Sequence, residues 1–233
     1  MAYKLSKARK AFEGEVDKLI ITLQNSKKTK KLNPSFKEHI TCSCIILCMA
    51  QLEIYVEDVV SNWIGAINRT PTQCSALPPE LRAFFLQRGT ISNAFKKYVF
   101  ADNETELVQT LSNSFSTELY NLSSNTALTP SLDPKELLQN KYPSPKNLKK
   151  YFARIGMTSI FHKLNVAAKT NMELILDSFN DIRTAVAHDG IIPGASQKDI
   201  IVQLKRMKRF VATLDRVVYK HIAFYAPIST WVI

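Results

Sequence analysis

Apolar residues recur along this chain at steps of three and four, the spacing of one helix face. In residues 3–24, Phe12, Val16, Leu19, Ile20 and Leu23 mark a first helix. In residues 36–66, Ile45, Met49, Leu52, Val56, Val59 and Trp63 step by four, three, four, three and four, a sustained core-facing stripe. Ile175, Phe179, Ile182 and Val186 repeat the pattern in 171–188. Ile200, Leu204, Met207, Val211, Leu214 and Val218 carry it through a last helix that ends near Tyr225.

Shorter pieces lie between these helices. The polar, basic segment Asn25 to Pro34 reads as a loop, and its KKTKK run as a solvated turn or a nucleic-acid finger. Leu77-Pro78-Pro79-Glu80 is a helix start, since proline is tolerated in the first turn. Residues 80–100 predict two short helices broken at Gly89, and 104–121 another. Residues 122–133, rich in Ser, Thr and Asn, read as a loop. Pro134 opens a turn of helix, and Pro143 and Pro145 interrupt the chain before a helix that Gly156 stops. Ser196 with Asp199 three residues on resembles a capping box. No strand pair and no internal repeat is visible. The expected fold is all-α, an up-and-down bundle of about five main helices plus short ones. One domain is expected over 1–233: an N-terminal helix and basic loop (1–35), a bundle core (36–225) and an apolar tail (226–233).

Composition narrows the picture. With 45% hydrophobic and 22% charged residues, the chain is no disordered polymer. The longest strongly apolar stretch, Cys44 to Ala50, is too short to span a bilayer, and MAYKLSKARK has no signal-type apolar region. No membrane partner is expected. The net charge of +11 is uneven: residues 1–50 carry +6, residues 51–140 carry −4 and residues 141–233 carry +9. If the basic ends pack together they form one positive surface, suited to a polyanion such as nucleic acid. Cys42, Cys44, Cys48 and Cys74 lack the spacing of a metal knuckle, so they read as buried free thiols in a cytoplasmic protein.

No phosphate-binding loop, dinucleotide fingerprint, serine-hydrolase elbow or zincin motif is present. Of the four histidines, His39 reads as solvated, His162 as lying between helices and His221 as a half-buried packing residue. His188 differs. It closes an amphipathic helix in Arg183-Thr184-Ala185-Val186-Ala187-His188-Asp189-Gly190, five positions after an arginine. Structurally, a histidine there would simply meet the negative end of the helix dipole.

Arg-x4-His with small residues between, an aspartate-rich approach and a following Asp-Gly resembles the HEPN superfamily. The long helix containing CMAQLEIYVEDVVSNWI, with Glu53, resembles an early helix of its RiboL-PSP-HEPN-like subfamily. The likeness covers roughly residues 36–225. Thr184 stands where Asn, Asp or His is usual, and Gly190 where some toxins carry a modified tyrosine. Asp177 lies six residues before the arginine, as in certain HEPN-type ribonucleases.

The resemblance implies a metal-independent endoribonuclease with no cofactor, cutting single-stranded or looped RNA, in a toxin or anti-phage defence setting. Arg183 and His188 would be catalytic, with Thr184, Asp177, Asp181, Asp189 and Glu53 supporting. It also implies a homodimer with a composite active site, and an antitoxin or larger defence complex as further partner. A histidine near neutral pKa can move a proton, and a guanidinium can grip a phosphate. Five residues on a helix are about 140° apart around its axis. Either the last turn unwinds, or the site needs a second copy. Lys205, Arg206 and Arg209 on the last helix are candidate RNA contacts. Two alternatives stay open: a non-catalytic HEPN-like module that binds RNA or a protein, and an unrelated basic helical scaffold.

Overall fold

A computed structural model describes residues 2–69, 73–86, 90–101, 103–114, 133–138, 142–190, 196–225 and 231. The Cys74 side chain, Gly89, the later part of the helix expected over 104–121, most of the loop 122–133 and the tail apart from Trp231 lie outside the described residues. The described residues form ten α-helices and no strand. They are α1 (Lys7–Lys28), α2 (Pro34–Arg69), α3 (Pro79–Leu86), α4 (Thr90–Ala101), α5 (Glu104–Ser114), α6 (Pro134–Leu138), α7 (Pro145–Arg154), α8 (Ile160–Ala168), α9 (Met172–Asp189) and α10 (Gln197–Tyr225). The all-α expectation holds.

The long helices α1, α2, α9 and α10 pack together, with α2 touching the other three. The periodic residues named above supply the core, where Phe12, Ile45, Leu52, Trp63, Phe179, Leu204 and Leu214 are all but inaccessible. Helices α4 and α5 pack on each other, and their buried Ile91, Ala94 and Leu107 stand outside the main core cluster.

Several boundaries differ from the sequence reading. Helix α1 begins at Lys7, because Ser6 accepts from the Arg9 amide at 2.9 Å and residues 2–6, outside any helix, meet α10 through Ala2, Tyr3 and Ser6. It continues to Lys28, so the basic loop shrinks to 29–33. His162 lies within α8, on its exposed side, rather than between helices. That helix has nine residues, too few for a periodic pattern to stand out. Helix α2 is also more continuous in its apolarity than the stretch Cys44 to Ala50 suggests. By length and composition it could cross a bilayer, and half of its most apolar window is buried among neighbouring helices. Trp231 folds back instead of being left exposed: its indole donates to the Lys4 carbonyl at 2.9 Å and its ring meets Tyr219 edge-on.

A buried polar network ties the N-terminal residues to the bundle. Asp215 of α10 is fully buried and accepts from Tyr3 Oη at 2.5 Å, the Ser6 amide at 3.2 Å, Ser6 Oγ and Tyr55 Oη at 3.2 Å. Arg9 extends it, donating to Tyr3 Oη at 2.8 Å and to Glu13 at 2.7 Å. His221 is buried against Trp63 and Tyr225 and bonds the Ile155 carbonyl at 2.6 Å.

Candidate active site

Helix α9 presents the motif. Asn171 caps it by accepting from the Leu174 amide at 3.0 Å, and the apolar face of Met172, Leu176, Phe179 and Val186 seats it in the core. Its far end is regular through Asp189. Gly190 takes the left-handed conformation, φ 69°, and its amide donates to the Val186 carbonyl at 3.0 Å. The last turn therefore does not unwind. At about 100° per residue, Arg183 points some 140° away from His188.

The exposed face carries a second regularity. Asp177, Asp181, Thr184 and His188 follow at steps of four, three and four, and all are exposed. They share one stripe on α9, with Asp189 exposed beside its end. Burial and the neighbouring Glu173 and Asp181 push the Asp177 carboxyl up, while Lys149 pulls it down. Lys149 is itself paired with Glu173.

Arg183 lies off that stripe and is half-buried. Its guanidinium carbon sits 5.5 Å from the centre of the Tyr142 ring, a cation–π geometry that limits where the charge can swing. Tyr142 had no sequence signal beyond a proline-rich break. One turn before Arg183, the Asn180 amide is buried with neither its nitrogen nor its oxygen bonded. An open buried amide costs roughly 1–3 kcal/mol, so its retention beside Arg183 needs a reason.

Glu53 is exposed on α2, and no hydrogen bond or ion pair among the described residues joins it to the motif. Lys205, Arg206 and Arg209 are exposed on α10, but Arg209 donates to the Ala168 carbonyl at 2.9 Å and so closes the end of α8. Among the described residues no three His, Cys, Asp or Glu side chains gather into a metal-holding group. Cys42, Cys44 and Cys48 are free and buried; burial pushes the Cys44 thiol up to about 11 and raises the other two.

The sequence matches the family described as RiboL-PSP-HEPN over residues 14–220, nearly the whole helical array. The chain belongs to the RiboL-PSP-HEPN family. HEPN domains are RNase-type or nucleotide-binding modules. The matched span contains α2, α9 and nearly all of α10, so Arg183 and His188 fall inside it. No curated protein and no solved structure is significantly similar to the chain.

Proposed function

We propose that this HEPN protein is an endoribonuclease that cuts single-stranded or looped RNA without a metal, as a homodimer whose two motifs build one cleft. The observation that carries the reading is Arg183, half-buried, and His188, exposed, on one unbroken helix end in a chain of this family. Their separation around the axis prevents one helix from aiming both at a single phosphate. A twofold partner supplies the missing group, with Arg183 of one protomer facing His188 of the other across an isologous interface.

In that cleft Arg183 holds the scissile phosphate and offsets charge developing on its oxygens. His188 moves a proton to or from the reacting oxygens. The RNA 2′-OH attacks phosphorus, the bond to the 5′ oxygen breaks, and the departing oxygen takes up a proton. The products are a 2′,3′-cyclic phosphate and a 5′-OH. Tyr142 restrains the Arg183 guanidinium, and the Asp177–Asp181–Thr184 stripe flanks the histidine. The protein acts as a toxin or defence effector in the cytoplasm, held by a partner until needed.

The test is incubation of looped RNA with wild type and His188→Ala in excess EDTA. Wild type is expected to yield cyclic-phosphate ends and His188→Ala none, with RNA still bound. Cleavage only on adding Mg²⁺, or equal cleavage by His188→Ala, would refute the reading. RNA binding without cleavage by wild type would instead favour the non-catalytic module.

A further inference from the structure

The last turn of α1 carries Lys27 and Lys28, and the loop that joins it to α2 carries Lys30 and Lys31, all exposed. Phe36, in the first turn of α2, is 55% exposed, and His39 follows it, also exposed. Hydrogen bonds place this junction at the same end of the bundle as the motif. Gln197, the first residue of α10, donates to Ser26 Oγ at 3.1 Å, Thr41 Oγ1 at 3.2 Å and the Lys37 carbonyl at 3.4 Å. The Cys42 thiol donates to the Gly190 carbonyl at 3.6 Å, two residues beyond His188. Lys27 and Lys28 directly follow Ser26, while Lys37 and His39 lie within about one turn of Thr41 and Cys42. The lysine junction and His188 therefore share one end.

Charge at this end is net positive, with Lys27, Lys28, Lys30, Lys31, Lys37 and Lys198 against Glu38, Asp189 and Asp199. Four lysines elsewhere meet a carboxylate: Lys18 with Glu15, Lys97 with Glu106, Lys149 with Glu173 and Lys208 with Asp17. Among the described residues, Lys27, Lys28, Lys30, Lys31, Lys37 and Lys198 make no ion pair. The acidic groups nearby in sequence are Glu38, Asp189 and Asp199, and Asp199 accepts from the Ser196 amide and hydroxyl at 2.9 and 2.7 Å. Helix α2 has no acidic residue in its first turn, so its dipole adds to the positive field. Exposed lysines and an exposed aromatic ring at one end suit a single strand, with phosphates on the lysines and a base on the ring.

We propose that the α1–α2 junction, Lys27 and Lys28 at the end of α1, Lys30 and Lys31 in the loop and Phe36 at the start of α2, is the surface that grips single-stranded RNA and leads it to His188. This rests on the RNA-cleavage reading above. It moves the main backbone contact from the Lys205–Arg206–Arg209 face of α10 to the end where the motif lies.

The test uses the full chain in a His188→Ala background, which prevents cleavage. Binding of a fluorescent single-stranded RNA is followed by anisotropy through a potassium chloride titration. Lys27→Gln/Lys28→Gln/Lys30→Gln/Lys31→Gln is expected to weaken binding about tenfold or more at low salt. It should also flatten the log–log salt slope by about 3, at roughly 0.7 per phosphate released from a single strand. Phe36→Ala should weaken binding about 5- to 150-fold and leave the slope unchanged. Unaltered melting temperatures in both variants show that the fold is intact. Unchanged affinity and slope in the lysine variant, with the parent binding RNA, overturn this inference and leave the ribonuclease reading standing. A wild type that neither binds nor cleaves RNA overturns both. If the lysine variant loses only phosphatidylserine-vesicle binding, the junction is a membrane surface and the inference falls.

Discussion

Asp215 is the residue whose loss the fold should feel most sharply. Its carboxylate is fully buried and takes four donors from Tyr3, Ser6 and Tyr55. Burial and the adjacent Asp215 hold both phenols well above their ordinary pKa, so they stay protonated donors at any working pH. Asp215→Ala removes the acceptor and leaves the donors. The Tyr55 hydroxyl and the Ser6 amide are the ones water cannot easily reach, at about 1–3 kcal/mol each. Breaking such a buried set by deleting one side costs about 3–5 kcal/mol in all. For a chain of this length that is a drop of about 6–20 °C in Tm. Asp215→Asn keeps one acceptor oxygen but points an amide donor at donors, and should fall between. Urea denaturation followed by circular dichroism measures the global loss. Tryptophan fluorescence, from Trp63 in the core and Trp231 beside Tyr219, follows the same loss. An Asp215→Ala variant within about 1 kcal/mol of wild type would refute the reasoning, since surface changes cost no more than that.

Other outcomes follow from single contacts. Burial holds the His221 pKa below its ordinary value, so the unfolded chain takes up the proton first. Stability should be level above about pH 6.5 and fall as pH drops below it; a Tm flat from about pH 7.5 to 5.5 would contradict this. Tyr142→Ala frees Arg183 and should lower kcat/KM about 2- to 5-fold with Tm unchanged, the size of an exposed cation–π contact. Asn180→Leu removes an unbonded buried amide; it should raise stability by about 1 kcal/mol or more and reduce cleavage if the amide serves the site, and a loss of stability would show the amide to be bonded in solution. Gly156 has φ 88°, and a Cβ there would lie 2.8 Å from Pro78 Cβ, so Gly156→Ala should lower stability by at least about 1 kcal/mol in a thermal melt.

The long helices were legible because each must turn an apolar face inward, and that face repeats in sequence. Their ends were less so. The start of α1 at Lys7 depends on Ser6 and Asp215, 209 positions apart, and no local pattern encodes that pairing. The motif was legible as residue types, and its geometry followed from helix arithmetic once the helix proved unbroken to Asp189. Tyr142 against Arg183 was not, because it joins a loop to a helix 41 residues on. The lysine junction was read from composition alone as a solvated loop or a finger. Its nearness to His188 emerges only through Gln197 and Cys42, whose bonds bring four helix ends together.

The shared site is tested most directly by mixing two inactive variants. Arg183→Ala and His188→Ala, each expected to cleave no RNA alone, are combined at equal concentration, and subunit exchange is verified by copurifying differently tagged chains. In a mixed dimer one intact arginine faces one intact histidine across the twofold axis. With half the dimers mixed, and one of two pairs restored in each, about a quarter of wild-type cleavage should return. No recovery despite complete exchange would contradict the account, because the working pair would then lie within one chain.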